Sequence, residues 1–138
     1  MRRAIAFGTL CLVVAGGACT GQQTTSEPAA AFGAWGGAHV AMIVSDTGAA
    51  LEYDCAHGAI TTPLRLDATG RFDLPGYHVR EHGGPVRDDE RETRMAARYV
   101  GRVTGARMTL VVSLVDSGSS VGEFGLRYGT APQLLKCL

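Results

Sequence analysis

A short turn signature recurs along this chain and limits what it can become. Asp46-Thr47-Gly48, Thr69-Gly70, Thr104-Gly105 and Asp116-Ser117-Gly118 each join small polar residues to a glycine. Glycine enters the left-handed backbone region without steric cost, as tight hairpins require. Between these turns the apolar residues alternate with period two, and no segment sustains a helical period. Val40, Met42 and Val44 share a face, and so do Leu51, Tyr53 and Cys55. Met108, Leu110, Val112 and Leu114 form the most apolar strand, followed by Phe124, Leu126 and Tyr128. The expected fold is all-β: a single antiparallel up-and-down barrel, or barrel-like sandwich, of about 7–8 strands.

The remaining segments complete that expectation. Ile60, Thr62, Leu64 and Leu66 predict a third strand, placed at an edge or bulged because Pro63 has no N–H. Phe72 and Leu74, then Tyr77 and Val79, change parity across Pro75-Gly76 and predict a β-bulge. Met95–Val103 predicts a fifth strand, and Pro132–Leu138 a short last one. Trp35, the only tryptophan, sits among glycines just before the first strand.

The amino terminus reads as an address. Met1-Arg2-Arg3 is followed by an apolar run from Ala4 to Ala15, the pattern of a secretory signal and too short to span a bilayer. Gly17-Ala18-Cys19 resembles a bacterial lipobox, which implies that residues 1–18 are removed and Cys19 is lipidated. Ordinary secretion after Ala18 is the alternative. Residues up to Ala31 are polar and aperiodic, as in a flexible tether. The folded domain is expected over 32–138.

Cys11 falls in the signal and Cys19 at its end, so Cys55 and Cys137 remain as an even pair. An exported domain favours a disulfide between them. Arg2 and Arg3 also leave with the signal, so eleven basic residues face thirteen acidic ones. No field of one sign attracts nucleic acid or an anionic membrane. The membrane is expected to be a partner only through the lipid anchor.

Gly33-Ala34-Trp35 resembles the start of lipocalin-like and avidin-like barrels, where a tryptophan closes one end. Leu51-Glu52-Tyr53-Asp54-Cys55 with Lys136-Cys137-Leu138 resembles the cysteine pair of small periplasmic lysozyme-inhibitor lipoproteins. That resemblance implies a small barrel with an early strand tied to the last. Their serine-glycine-x-x-tyrosine loop has no good match here. The pattern as a whole is also similar to small bacterial envelope lipoproteins that carry no known activity.

Recognisable catalytic or metal-binding arrangements are missing from the sequence. His39, His57, His78 and His82 lack metal-ligand spacing and read as strand and turn histidines. The serines lack a nucleophile elbow, and nothing in the sequence indicates a cleft for the outward carboxylates Glu52 and Asp54 to act in. No enzyme activity, metal or cofactor is expected. A barrel interior lined by Met42, Tyr53, Leu64, Phe72, Tyr99, Met108, Leu110, Phe124 and Tyr128 would take an apolar ligand. The charged segment Glu81–Arg94, with His82, Arg87, Asp88, Asp89 and Arg91, is the candidate interaction loop. The leading expectation is a non-catalytic envelope lipoprotein that binds a small molecule or a protein. The alternatives are an inhibitor of an envelope hydrolase, acting through that loop, and a structural envelope protein with no ligand.

Overall fold

The structure, a computed structural model, describes residues 31–85 and 89–137. Cys19, Arg87 and Asp88 lie outside the described residues, as do the signal segment and nearly all of the tether. Eight strands follow in order: β1 (Gly33–Gly37), β2 (Val40–Val44), β3 (Ala49–Tyr53), β4 (Ala56–Ile60), β5 (Arg71–Arg80), β6 (Met95–Thr104), β7 (Arg107–Leu114) and β8 (Ser120–Tyr128). Each pairs antiparallel with its neighbour in sequence, and β8 returns to β1, so the sheet is a closed barrel. The closing register runs from Trp35↔Tyr128 to Gly37↔Leu126. Closure leaves no unpaired edge, which is what separates a barrel from an open sandwich.

Cross-strand pairs share a face, so the inward set follows from the register. Trp35, Met42 and Leu51 lie in one row, and Phe72, Gly101, Leu110 and Phe124 in another. Val40, Leu64, Tyr99, Leu110 and Val112 are fully buried in one continuous core. Three of the four turn glycines behave as expected, Gly70, Gly105 and Gly118 having φ of 78°, 58° and 67°, whereas Gly48 has φ of 158°.

Large side chains fill this small interior by lying over glycines. A Cβ at Gly58 would overlap the Tyr99 hydroxyl, and one at Gly76 would lie 2.8 Å from the Tyr99 ring. A Cβ at Gly101 would overlap the Phe72 ring. The Tyr99 hydroxyl donates to the Tyr77 carbonyl oxygen at 2.7 Å, which satisfies the phenol within the core.

Four sequence expectations need correction. First, Trp35 lies inside a strand, because Gly33–Gly37 is held between β2 and β8 despite its weak strand composition. Second, the strand after β3 is Ala56–Ile60; residues 61–70 leave the sheet, and Leu64 and Leu66 are buried in the core cluster from that connection. Their alternation recorded burial rather than pairing. Third, β5 is unbroken: its ladder with β6 runs without a shift from Arg71↔Arg102 to His78↔Met95. Gly76 and His78 therefore face inward, and Tyr77 and Val79 face outward. Fourth, the last segment is not a strand of the barrel. It crosses outside β1, bonded through His39 N–H to the Gln133 carbonyl at 2.8 Å, with one isolated bridge between Ala38 and Gln133.

The tail ends at Cys137, which is disulfide-bonded to Cys55 with the Cα atoms 5.2 Å apart. Cys55 sits in the two-residue turn between β3 and β4, one position beyond the inward alternation. The bond therefore fastens the tail to a turn, and the β1–β8 ladder closes the barrel without it.

Candidate functional site

The two barrel ends differ. At the end that carries the β2–β3 turn, the 61–70 connection brings Leu64 and Leu66 into the core, and Trp35 packs edge-on against Tyr128 with centroids 5.2 Å apart. Asp67 stabilises that connection, its carboxylate accepting from Thr69 N–H at 2.8 Å and Arg71 N–H at 2.9 Å. The Arg71 bond, then Thr69, hold the Asp67 pKa below the usual carboxylate range.

The opposite end, where the disulfide lies, contains a cleft of about 440 Å³. Its floor is a row of rings: Tyr53 lies 5.5 Å from His78 and 5.2 Å from Phe124, centroid to centroid. Leu114, Val121 and Ala56 complete the apolar wall, and His39, Asp54, Arg80, Glu81 and Ser120 stand around it. Tyr53 and His78 are 5% and 4% exposed. The Tyr53 hydroxyl and His78 Nδ1 have no hydrogen-bond partner among the described residues. Thr62 Oγ1, in the connection at the other end, is the third such atom. A buried polar atom left unpaired costs about 1–3 kcal/mol; His78 Nδ1 is the clearer case, because the Tyr53 hydroxyl sits beside that of Tyr99.

Burial, then the neighbouring Tyr99 hydroxyl, push the Tyr53 phenol far above its usual pKa. Burial also pushes Tyr99 up to about 12. His78 moves the other way: burial first, then Arg80 and His57, lower its pKa. Both tyrosines are therefore uncharged at pH 7, and His78 is shifted towards its neutral form.

His78 has a consequence for stability. Its folded pKa lies below its unfolded value of about 6.5, so the unfolded chain binds more protons and stability rises with pH. Stability should fall as pH drops from about 6.5 towards the depressed folded value. The exposed His82 has the opposite sign: Glu90, then the Gly83 carbonyl, raise its pKa. Its contribution is present below about 6.5 and lost as pH rises through the raised value. Urea unfolding between pH 7.5 and 5 in a His82→Gln background should show the acid loss, and adding His78→Gln should flatten it. An unchanged slope after His78→Gln would assign the loss elsewhere.

The rim is ordered by pairing. His39 has φ of 66°, unusual for a residue with a side chain. Its Nδ1–H donates to Asp54 at 2.6 Å, and Asp54 also accepts from Leu135 N–H at 2.8 Å. The Leu135 bond is the largest cause of the lowered Asp54 pKa. Glu81 accepts from His57 Nδ1–H at 2.8 Å and from Lys136 at 3.2 Å, and Lys136 also reaches Glu52 at 2.6 Å.

The charged segment's described residues 89–94 lie against the outside of β4 and β5. His57 Nε2 is 3.3 Å from Glu92, the Arg94 guanidinium stands 4.4 Å over the Tyr77 ring, and His82 pairs with Glu90. This contact explains why the outward Val79 is only 4% exposed. His82 and Arg91 line a second cleft beneath the segment, and Asp89 is exposed.

Of the residues expected to line a ligand cavity, Tyr53 and Phe124 reach the cleft. Met42, Leu64, Phe72, Tyr99, Met108 and Leu110 are at most 4% exposed and fill the core instead. Tyr128 stands at the far end on Trp35. His78 was missed because the supposed bulge turned it outward; unbroken alternation from Phe72 would have found it. Among the described residues no group of three or more His, Cys, Asp or Glu is placed to hold a metal ion.

Fold and site together define a closed eight-stranded up-and-down β-barrel with a cleft at one end that Tyr53, His78 and Phe124 line. Comparison with protein families, with curated proteins and with solved structures finds no significant match to this chain.

Proposed function

We propose that this protein is a non-catalytic binding module that takes a small molecule in the cleft at the disulfide end. The observation that carries this reading is that Tyr53 and His78, whose buried polar atoms have no hydrogen-bond partner among the described residues, both line a concave site of mixed apolar and polar side chains. Small-molecule sites combine an apolar lining with a few placed polar groups. The Glu81–Arg94 segment is the weaker candidate for a partner surface, because its described ion pairs are made within itself and with the barrel.

Export and anchoring through Cys19 belong to the same proposal. The Cys55–Cys137 disulfide supports an oxidising compartment. A lipidated Cys19 and the polar segment after it would hold the barrel away from a membrane face.

The test is a thermal-shift panel of small apolar acids, alcohols and amides on the oxidised protein, with Val121→Trp as the blocked control. At a hundredfold excess over Kd a ligand adds about 2.7 kcal/mol, several degrees for a domain of this size. Val121→Trp should fold and lose the shift. If no compound moves the wild-type midpoint or the NMR signals of Tyr53 and His78, the cleft is not a binding site.

A further inference from the structure

We infer that the occupant of this cleft is a small carboxylate with an apolar body, its anion held by the Arg80 guanidinium and its body against Phe124, Leu114 and Val121. The inference rests on the reading of the cleft as a binding site. It comes from an accounting of charges around the rim. Asp54 is engaged by His39 and by the Leu135 N–H. Glu81 is engaged by His57 and Lys136. Arg80 also lines the cleft, and it makes no ion pair with any described residue.

Arg80 is held where that charge is useful. It ends β5 opposite Ala56, in the same inward register as His78 and Gly76. A guanidinium at the mouth of an apolar cleft matches a carboxylate with two parallel hydrogen bonds, which a neutral amide cannot reproduce. Below it, Phe124, Leu114 and Val121 are only partly buried while packed on the core. They present apolar area that a ligand body would remove from water. Phe124 also continues into the Tyr53–His78 row, which extends the ring surface beneath the ligand body.

The experiment compares matched pairs on the oxidised protein by calorimetry: octanoate against octanamide, and 3-phenylpropanoate against 3-phenylpropanamide. The acids should bind about tenfold or more tightly than the amides at low salt, and the gap should narrow as salt rises. Arg80→Gln should weaken the acids about tenfold or more and so remove the gap between acid and amide. Equal binding of acid and amide, blocked by Val121→Trp, overturns the carboxylate assignment and leaves the cleft as a binding site. Binding that Val121→Trp does not block places the ligands elsewhere and overturns both readings, as does no binding by any of the four. The wild-type comparison stands on its own should Arg80→Gln fold poorly.

Discussion

Replacing Gly76 with alanine should strongly destabilise the barrel. A Cβ there would overlap the Ala59 carbonyl oxygen and lie 2.8 Å from the Tyr99 ring. The Ala59 oxygen belongs to the neighbouring strand and cannot swing away. Tyr99 is fully buried, and its hydroxyl is bonded to the Tyr77 carbonyl. Relief therefore requires separating β4 from β5 or expelling the ring. Overpacking of this kind costs about 1–3 kcal/mol and sometimes more; with backbone as the obstacle the upper end is expected. Against a total stability of about 5–15 kcal/mol, that is a large share. Gly125→Ala is the control, since nothing lies within 4 Å of a Cβ at that position. It should be neutral or gain about 0.4–1 kcal/mol from the stiffer unfolded chain. Chemical denaturation of both variants checks the contrast; equal midpoints would show that the interior has slack.

The second large effect is expected from the disulfide. Cys55 and Cys137 are 82 residues apart. The chain-entropy relation gives about 4.5 kcal/mol for a loop of that length, as an upper figure. The Cys55→Ala, Cys137→Ala double variant should unfold at lower denaturant, yet remain a barrel in its far-UV spectrum. That separation follows from topology: the β1–β8 ladder closes the sheet without help from the tail. Hydrogen exchange should then localise the loosening to the Leu135 amide, which donates to Asp54, and to the His39 amide, which donates to Gln133. A variant that loses the barrel outright would show that the tail is part of the closing structure.

The sequence carried more of the fold than of the site. Alternation in Val40–Val44 and Met108–Leu114 reports directly which residues face inward, because a strand that buries one face must repeat every second residue. The turn glycines marked most of the hairpins for the same kind of local reason. Gly33–Gly37 and Ala56–Ile60 carried no such signal. Their residues are small and glycine-rich, and they form strands because neighbours on both sides supply hydrogen-bonding partners.

The site was harder to read because every part of it is non-local. His78 was legible only to a reader who trusted unbroken alternation through Pro75-Gly76. Pro75 is tolerated within the ladder, and Gly76 makes room for Tyr99. Arg80 is one arginine among many in the sequence; its place at the rim stands out only once Asp54 and Glu81 are found engaged by His39, by the tail and by β4. No spacing in the sequence records that.

The sequence by itself determined an all-β chain of short hairpins with an inward apolar face, and paired the two cysteines. Period-two burial and turn stereochemistry are local, so they are written in consecutive residues. Only the tertiary structure decided that the sheet closes on itself, that residues 61–70 bury their leucines at one end, and that the tail lies outside. It also decided that Tyr53 and His78 meet at the other end, their polar atoms without partners among the described residues. Those outcomes depend on register and on contacts between segments distant in sequence, where pairing and packing together choose among arrangements that local pattern leaves equal.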